Sequence, residues 1–272
     1  MFAEHDCPAI VIFDIDGVIR DVGGSYRRAL ADTVEHFTAG AYRPSQQDID
    51  QLKSEGTWNN DWEASQELVY RYFEAKQGSR SLVELDYDTL VAFFQARYRG
   101  PDPARLTGYI CEEPLLLQPS YLEGLTQAGV AWGFFSGATR GSATYVLETR
   151  LGLKSPLLVA MEDAPGKPDP TGLFAAVDQL EAQLSLRKDT PVIYVGDTVA
   201  DLYTVQKARS HRPDRIWISV GILPPHVQPI MEDCLSYSAM LGKAGAAAIF
   251  SNVEQLTLEQ IQRLVKAVQV AQ

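Results

Sequence analysis

The chain has 272 residues, 46% of them apolar and 22% charged. That is ordinary globular usage, sufficient for one large domain or two modest ones whose core needs no covalent staples. A formal net charge of -11, with the acidic residues spread along the chain, argues against the basic face of a nucleic-acid binder. It does not exclude a phosphorylated substrate, because one bound divalent cation reverses the local sign. Cys7, Cys111 and Cys234 are far apart with no CxxC spacing, which argues against a disulfide framework and structural zinc and suits a reducing cytoplasm.

Taken in chain order, Met1–Asp6 carries Glu4 and Asp6 and no basic stretch, so no secretory signal is expected, and no apolar run reaches membrane-spanning length. The run Ala9–Phe13 reads as a buried strand and ends in Asp14-Ile15-Asp16-Gly17-Val18. Residues two apart on extended chain point the same way, so Asp14 and Asp16 can reach one small volume. Two carboxylates that close repel each other unless a cation or proton intervenes. A solvated turn is the plainer reading of the same residues.

From Gly24 to Arg105 no strand is expected. Helical spacing predicts helices over Tyr26–Thr38, Gln46–Glu55, Glu63–Lys76 and Tyr87–Tyr98, with joints at Val22–Ser25 and Gly100–Pro103. Between two of these helices lies Gly56-Thr57-Trp58-Asn59-Asn60-Asp61-Trp62. It reads equally as a helix boundary, with Asn60 or Asp61 as cap, and as a substrate-facing loop using Trp58 and Asn60.

Strand patterns then alternate with helices. Val130–Phe135, Leu157–Ala160, Val192–Val195, Ile216–Val220 and Ala246–Phe250 are the strands; Tyr121–Ala128, Leu173–Leu184 and Leu202–Ala208 are helical. The stretch Pro224–Ala244 reads as a surface loop with a short helix. The alternation predicts an α/β fold: a Rossmann-like, doubly wound parallel sheet over residues 1–22 and 106–272, carrying a helical insertion over 23–105. An insertion at a strand's carboxyl end is expected over the ligand crevice of such a sheet.

Three further segments carry chemistry. Ser136 and Gly137, ahead of Thr139 and Arg140, place a hydroxyl and backbone N–H groups at a helix start, fit for an anion or for simple capping. Lys167 lies in Pro165-Gly166-Lys167-Pro168-Asp169-Pro170, where Asp169 is the expected cap; it is an exposed loop lysine or an ammonium held by a stiff backbone. Asp197 ends a strand and Asp201 follows one helical turn later, as favourable helix-start acids or as two more carboxylates at the sheet edge. Four carboxylates gathered there call for a hard cation such as Mg²⁺. Arg20 and Arg140, beside two of these segments, can reach a substrate anion or form surface salt bridges.

These pieces, in this order, resemble the four motifs of the haloacid dehalogenase superfamily, and the helical insertion resembles its C1 cap. The resemblance implies that Asp14 is the nucleophile, Asp16 the general acid and base, and Ser136 and Lys167 the holders of the transferring phosphoryl group. It also implies Mg²⁺ on Asp14, the Asp16 backbone carbonyl and Asp197, with Asp201 direct or through water. Asp16 favours phosphate esters over carbon–halogen bonds, because the dehalogenases proper lack Asp there. The implied activity is a phosphatase forming an aspartyl-phosphate on a small phosphorylated metabolite. A phosphomutase of the β-phosphoglucomutase type and a silent ligand-binding protein of the same fold are the alternatives. Nucleic acid and membrane are not expected partners, and monomer and homodimer both stay open.

Overall fold

The computed structural model describes residues 7–77, 79–80, 84–102 and 105–271. Met1–Asp6 and Pro103 of the second expected joint lie outside the described residues. The chain divides into two compact units, Met1–Arg20 with Leu115–Gln272, and Asp21–Pro114.

The first unit is built on six parallel strands: β1 (Ile10–Phe13), β2 (Ala131–Phe135), β3 (Leu158–Val159), β4 (Val192–Gly196), β5 (Trp217–Ile222) and β6 (Ala248–Phe250), in the order β3-β2-β1-β4-β5-β6. Its helices are α5 (Pro119–Gln127), α6 (Arg140–Thr144, continuing through a π-helical turn, Tyr145–Arg150), α7 (Thr171–Leu184), α8 (Val199–His211), α9 (Met231–Lys243) and α10 (Leu258–Ala271).

Strand side chains alternate between faces. Val11 and Phe13 pack with Leu122, Leu147 and Ile261 on one side of the sheet, while Ile10 and Ile12 pack with Leu173, Val177 and Val205 on the other. Burial on both faces explains why these strands read as unbroken apolar runs. The winding reverses at β1, whose next strands lie on opposite sides, so the crevice at the strand ends opens between β1 and β4. Register makes those ends level: Phe13 stands beside Phe134 on β2 and Val195 on β4.

The second unit contains α1 (Tyr26–Phe37), α2 (Gln46–Lys53), α3 (Asp61–Gln77) and α4 (Tyr87–Tyr98), with no strand among its described residues. Tyr26 stacks on Tyr98 at 3.9 Å between ring centres, over the buried Leu30, Leu90 and Phe94. Residues 106–114, assigned to the α/β part by sequence bounds, pack with these helices. Tyr109 Oη donates to Asp32 at 2.7 Å, and the Asp21 N–H donates to the Pro114 carbonyl at 2.9 Å.

Asn60 caps α3: its Oδ1 accepts from the Trp62 N–H at 3.0 Å, and its carbonyl accepts from the Ala64 N–H at 2.9 Å. Asn60→Ala is expected to cost about 1 kcal/mol in a denaturant melt, and Asn60→Asp to cost much less, because a carboxylate caps equally well. A substrate-reading Asn60 would instead show itself as a raised KM in the aspartate variant.

Two expectations differ from the structure. Pro224–Ala244 holds a short 3₁₀ turn, Pro225–Val227, and then the full helix α9 rather than a short one. Helix α7 begins at Thr171, so Asp169 lies just ahead of the cap position; its Oδ1 still accepts from the Thr171 N–H at 2.9 Å.

Candidate active site

β1 delivers Asp14 directly beyond its last residue, where the Asp14 N–H is fastened to the Val195 carbonyl of β4 at 2.8 Å. Asp197 follows β4 by one residue, and Asp201 lies in the first turn of α8. Each of these three aspartates offers a carboxylate oxygen within 4.8 Å of the other two, and all three are buried.

Two glycines make the convergence possible. Gly17 has φ +72°, and a Cβ there would stand 1.9 Å from Asp197 Oδ2; a Cβ on Gly196 would stand 2.3 Å from Asp201 Cβ. Gly17→Ala is therefore expected to lower stability by about 2 to 4 kcal/mol, combining left-handed strain with overpacking. Where Asp197 swings aside to make room, the carboxylate cluster opens. Thermal melts recorded with and without Mg²⁺ should show both a lower Tm and a smaller rise on adding the cation.

Lys167 enters from the loop before α7, and its side chain is 1% exposed. Its Nζ lies 2.9 Å from Asp14 Oδ1 and 2.7 Å from Asp201 Oδ1, and 5.3 Å from the ring centres of both Phe135 and Tyr194. The exposed-loop alternative for this lysine is thereby corrected: two buried carboxylates and two aromatic faces compensate its lost hydration. Burial works against the ammonium, but Asp14 and Asp201 outweigh it and hold its pKa above the ordinary lysine value.

Asp201 is fully engaged. Besides Lys167, it accepts from Tyr194 Oη at 3.1 Å and from the Thr198 N–H and Oγ1 at 2.9 and 2.7 Å. Burial would raise its pKa, yet Lys167 and Thr198 bring it below the usual aspartate value. Tyr194, pushed well above the usual phenol range by burial first and then by Asp201 and Asp14, stays a neutral donor. Asp14 is the contrast. Burial pushes its carboxyl up to about 7 against the pull of Lys167, with the charges of Asp201 and Asp16 adding to the rise.

Three carboxylates against one ammonium leave two formal negative charges in a buried pocket of oxygen donors. Asp14 Oδ1 accepts no well-directed hydrogen bond among the described residues, its ion pair with Lys167 apart. A hard divalent cation fits this donor set.

Asp16 does not join the cluster. Its side chain, 25% exposed, pairs with Arg20, which is fully buried. Of the two readings of Arg20, a reach to a substrate anion or a surface salt bridge, the structure shows an ion pair, buried rather than on the surface: its guanidinium donates to Asp16 Oδ1. Ser136 is buried immediately beyond the end of β2; its N–H donates to the Val159 carbonyl and its Oγ accepts from the Ala138 N–H at 3.2 Å. Gly137 beside it is exposed. Arg140 is half exposed and paired with Asp163 on the surface, not turned inward. Trp58 and Asn60 belong to the second unit, where Trp58 Nε1 donates to Glu55 at 2.8 Å. Sequence reasoning missed Tyr194 and Phe135, which flank Lys167. The available signal was a hydroxyl-bearing aromatic in an aliphatic strand three residues before Asp197.

A family model described as haloacid dehalogenase-like hydrolase matches residues 8–209. A protein of Phytophthora nicotianae, named imidazoleglycerol-phosphate dehydratase, is 28% identical over 248 residues, covering 89% of this chain and 50% of its own. The chain thus spans about half the length of that curated relative. Among solved structures, CbbY from Rhodobacter sphaeroides in complex with phosphate matches with TM-score 0.61 and 14% identity, over 93% of this chain and 98% of its own. A family IA, variant 3 hydrolase from Entamoeba histolytica gives 0.59 at 14%, over 95% and 99%. Phosphatase Tt82 from Thermococcus thioreducens gives 0.56 at 23%, over 78% and 92%. At these identities the structures share the fold alone. No helix among the described residues is long and apolar enough to cross a membrane.

Proposed function

The chain belongs to the haloacid dehalogenase-like hydrolase family, and from that premise we propose that it is a phosphatase of a small phosphorylated metabolite, working through an aspartyl-phosphate on Asp14. The observation that carries the reading is the buried Asp14 carboxylate facing Lys167 Nζ at 2.9 Å, with Asp197 and Asp201 around it. Phosphoryl transfer needs positioning and charge neutralisation more than elaborate covalent machinery, and this cluster offers both.

In the first displacement an Asp14 oxygen attacks phosphorus, the bond to the ester oxygen breaks, and Asp16 gives its proton to the departing alkoxide. In the second, Asp16 takes a proton from water, the water oxygen attacks phosphorus, and the bond to Asp14 breaks, releasing inorganic phosphate. Each displacement is easier than direct hydrolysis. Ser136 and the backbone N–H beyond it at Gly137 hold the phosphoryl oxygens, and Lys167 offsets charge on them. Asp14, the Asp16 carbonyl and Asp197 would hold Mg²⁺, with Asp201 a ligand direct or through water; when bound it would supply charge neutralisation at the reacting phosphate.

The helical unit serves in this reading as a cap that limits substrate size, and Trp58 and Asn60 are its candidate contacts to the leaving group. The three free cysteines fit a cytoplasmic setting. The name of the oomycete relative refers to a protein about twice as long, so an imidazole-bearing phosphate ester joins the substrate panel as one candidate.

The test is phosphate release from a panel of small phosphate monoesters with Mg²⁺, alongside a chelator control. Release that disappears with the chelator supports the reading. Absence of release from every ester by protein that binds Mg²⁺ overturns it.

A further inference from the structure

We infer that Arg20 is a positioning residue for Asp16, fixing which oxygen of that carboxylate carries the proton in turnover. The inference deepens the phosphatase reading and rests on it. It begins from an oddity of burial: the arginine side chain is 0% exposed, while the carboxylate it holds is 25% exposed. A guanidinium removed from water is costly unless it is paired. An aliphatic side chain in that place would be the simpler way to fill the volume.

The backbone around the pair is fastened on both sides. The Gly17 N–H donates to the Arg20 carbonyl at 2.9 Å, the Ile19 and Arg20 N–H groups both reach the Ile15 carbonyl at 2.8 and 3.2 Å, and the Leu116 N–H donates to the Ile19 carbonyl at 2.8 Å. Arg20 therefore arrives from a fixed Cα. Its Nε and Nη2 each lie 2.6 Å from Asp16, and both address the same oxygen, Oδ1. The Nε hydrogen bond fixes the position of Oδ1, and the charge of the planar guanidinium lies against that same oxygen. Oδ2 stays outside the pair.

In the proposed reaction Oδ2 is the atom that gives its proton to the alkoxide as the ester bond breaks, and that receives a proton from water in the second displacement. Arg20 neither gives nor takes a proton, because a guanidinium does not ionise in proteins. Its effect on turnover passes through Asp16, and the choice of leaving group separates that effect from a structural one. An alkyl phosphate needs its leaving oxygen protonated; a para-nitrophenolate leaves without help.

The experiment compares kcat/KM, which reports the first displacement, for an alkyl phosphate and for para-nitrophenyl phosphate. It uses wild type, Arg20→Met, Asp16→Ala and the double variant, each shown to be folded by circular dichroism. The expected result for Arg20→Met is a loss of about 10- to 100-fold on the alkyl ester and less than about threefold on the aryl ester, a fraction of a full general-acid effect. Asp16→Ala should show the same bias more strongly, and adding Arg20→Met to it should not change the ratio further. Equal losses on both esters, or no loss on either, overturn the assignment of Arg20. If Arg20→Met does not fold, Arg20→Gln, neutral and too short to reach Oδ1 with both donors, is read by the same criteria. Wild-type protein inactive on both esters overturns the phosphatase reading itself, a different outcome from active wild type with an unbiased Arg20 variant.

Discussion

Asp14→Asn should abolish phosphate release, by at least about four orders of magnitude in kcat, since loss of a covalent nucleophile leaves only the residual catalysis of binding and charge stabilisation. The amide keeps the shape of the carboxylate, so the N–H of residue 14 remains fastened to Val195 and β1 keeps its register. Two consequences separate this outcome from misfolding. Without cation, the variant should melt no lower than wild type, because one of three mutually repelling carboxylates is gone. With Mg²⁺, it should gain less in Tm than wild type, because a ligand-linked rise in stability scales with affinity and one oxygen donor has lost its charge. Stopped-quench detection of an acid-stable phosphoprotein in wild type and its absence from Asp14→Asn would complete the case. A variant that keeps even a tenth of the wild-type rate would remove Asp14 from the nucleophile's place.

Lys167→Met should combine the largest stability loss with a severe activity loss. The ammonium is buried between Asp14 and Asp201 at 2.9 and 2.7 Å, and its removal leaves two buried carboxylates facing each other across an apolar side chain. Breaking one partner out of such an arrangement costs about 3 to 5 kcal/mol. The thioether fills the volume between Phe135 and Tyr194 without replacing the charge. Tyr194 Oη still donates to Asp201, and Thr198 still holds the other oxygen, so Asp201 stays in place and Asp14 is the more exposed to the change. A denaturant melt in chelator should show the full deficit, and Mg²⁺ should recover part of it by supplying positive charge to the same carboxylates. Phosphate release should fall by about two to four orders of magnitude and should not recover with the cation, since the charge facing the transferring phosphoryl group is not restored.

The sequence exposes the α/β unit well because buried parallel strands are short, apolar and β-branched. Ile10–Phe13 and Val192–Gly196 fall within a residue of expectation for that reason. Tyr87–Tyr98 matches its expected span because Asp86 caps it, accepting from the Thr89 N–H at 2.7 Å, and Gly100 follows its end. Helix α9 was obscured by Met231 and Leu235, which are 72% and 62% exposed and so blur the apolar stripe formed by Tyr237 and Leu241. The π-helical turn at Tyr145–Arg150 has no local signal, since it differs from a helix only in which carbonyl each N–H chooses.

The aspartates were legible for a simple reason: each sits at the end of a recognisable strand or one turn beyond it. Lys167 was ambiguous because nothing local reveals burial; its partners lie at positions 14 and 201, remote along the chain. Arg20 stood open between a substrate anion and a surface salt bridge. Its partner Asp16 is only four residues away, but no local pattern shows that the tight turn buries the guanidinium against it.

The central position of β1 also bears on the order in which the polypeptide can be completed as it is made. The strand is made before the helical unit, yet its two neighbours, β2 and β4, follow only after that unit. The helical unit, contiguous over Asp21–Pro114, has its own buried cluster and can consolidate while Ile10–Phe13 still lacks both hydrogen-bonding neighbours. Long-range parallel pairing is slow, and an unpaired apolar strand is an aggregation hazard while it waits. The placement that puts Asp14 at the heart of the site therefore makes its strand the one most dependent on shelter during synthesis.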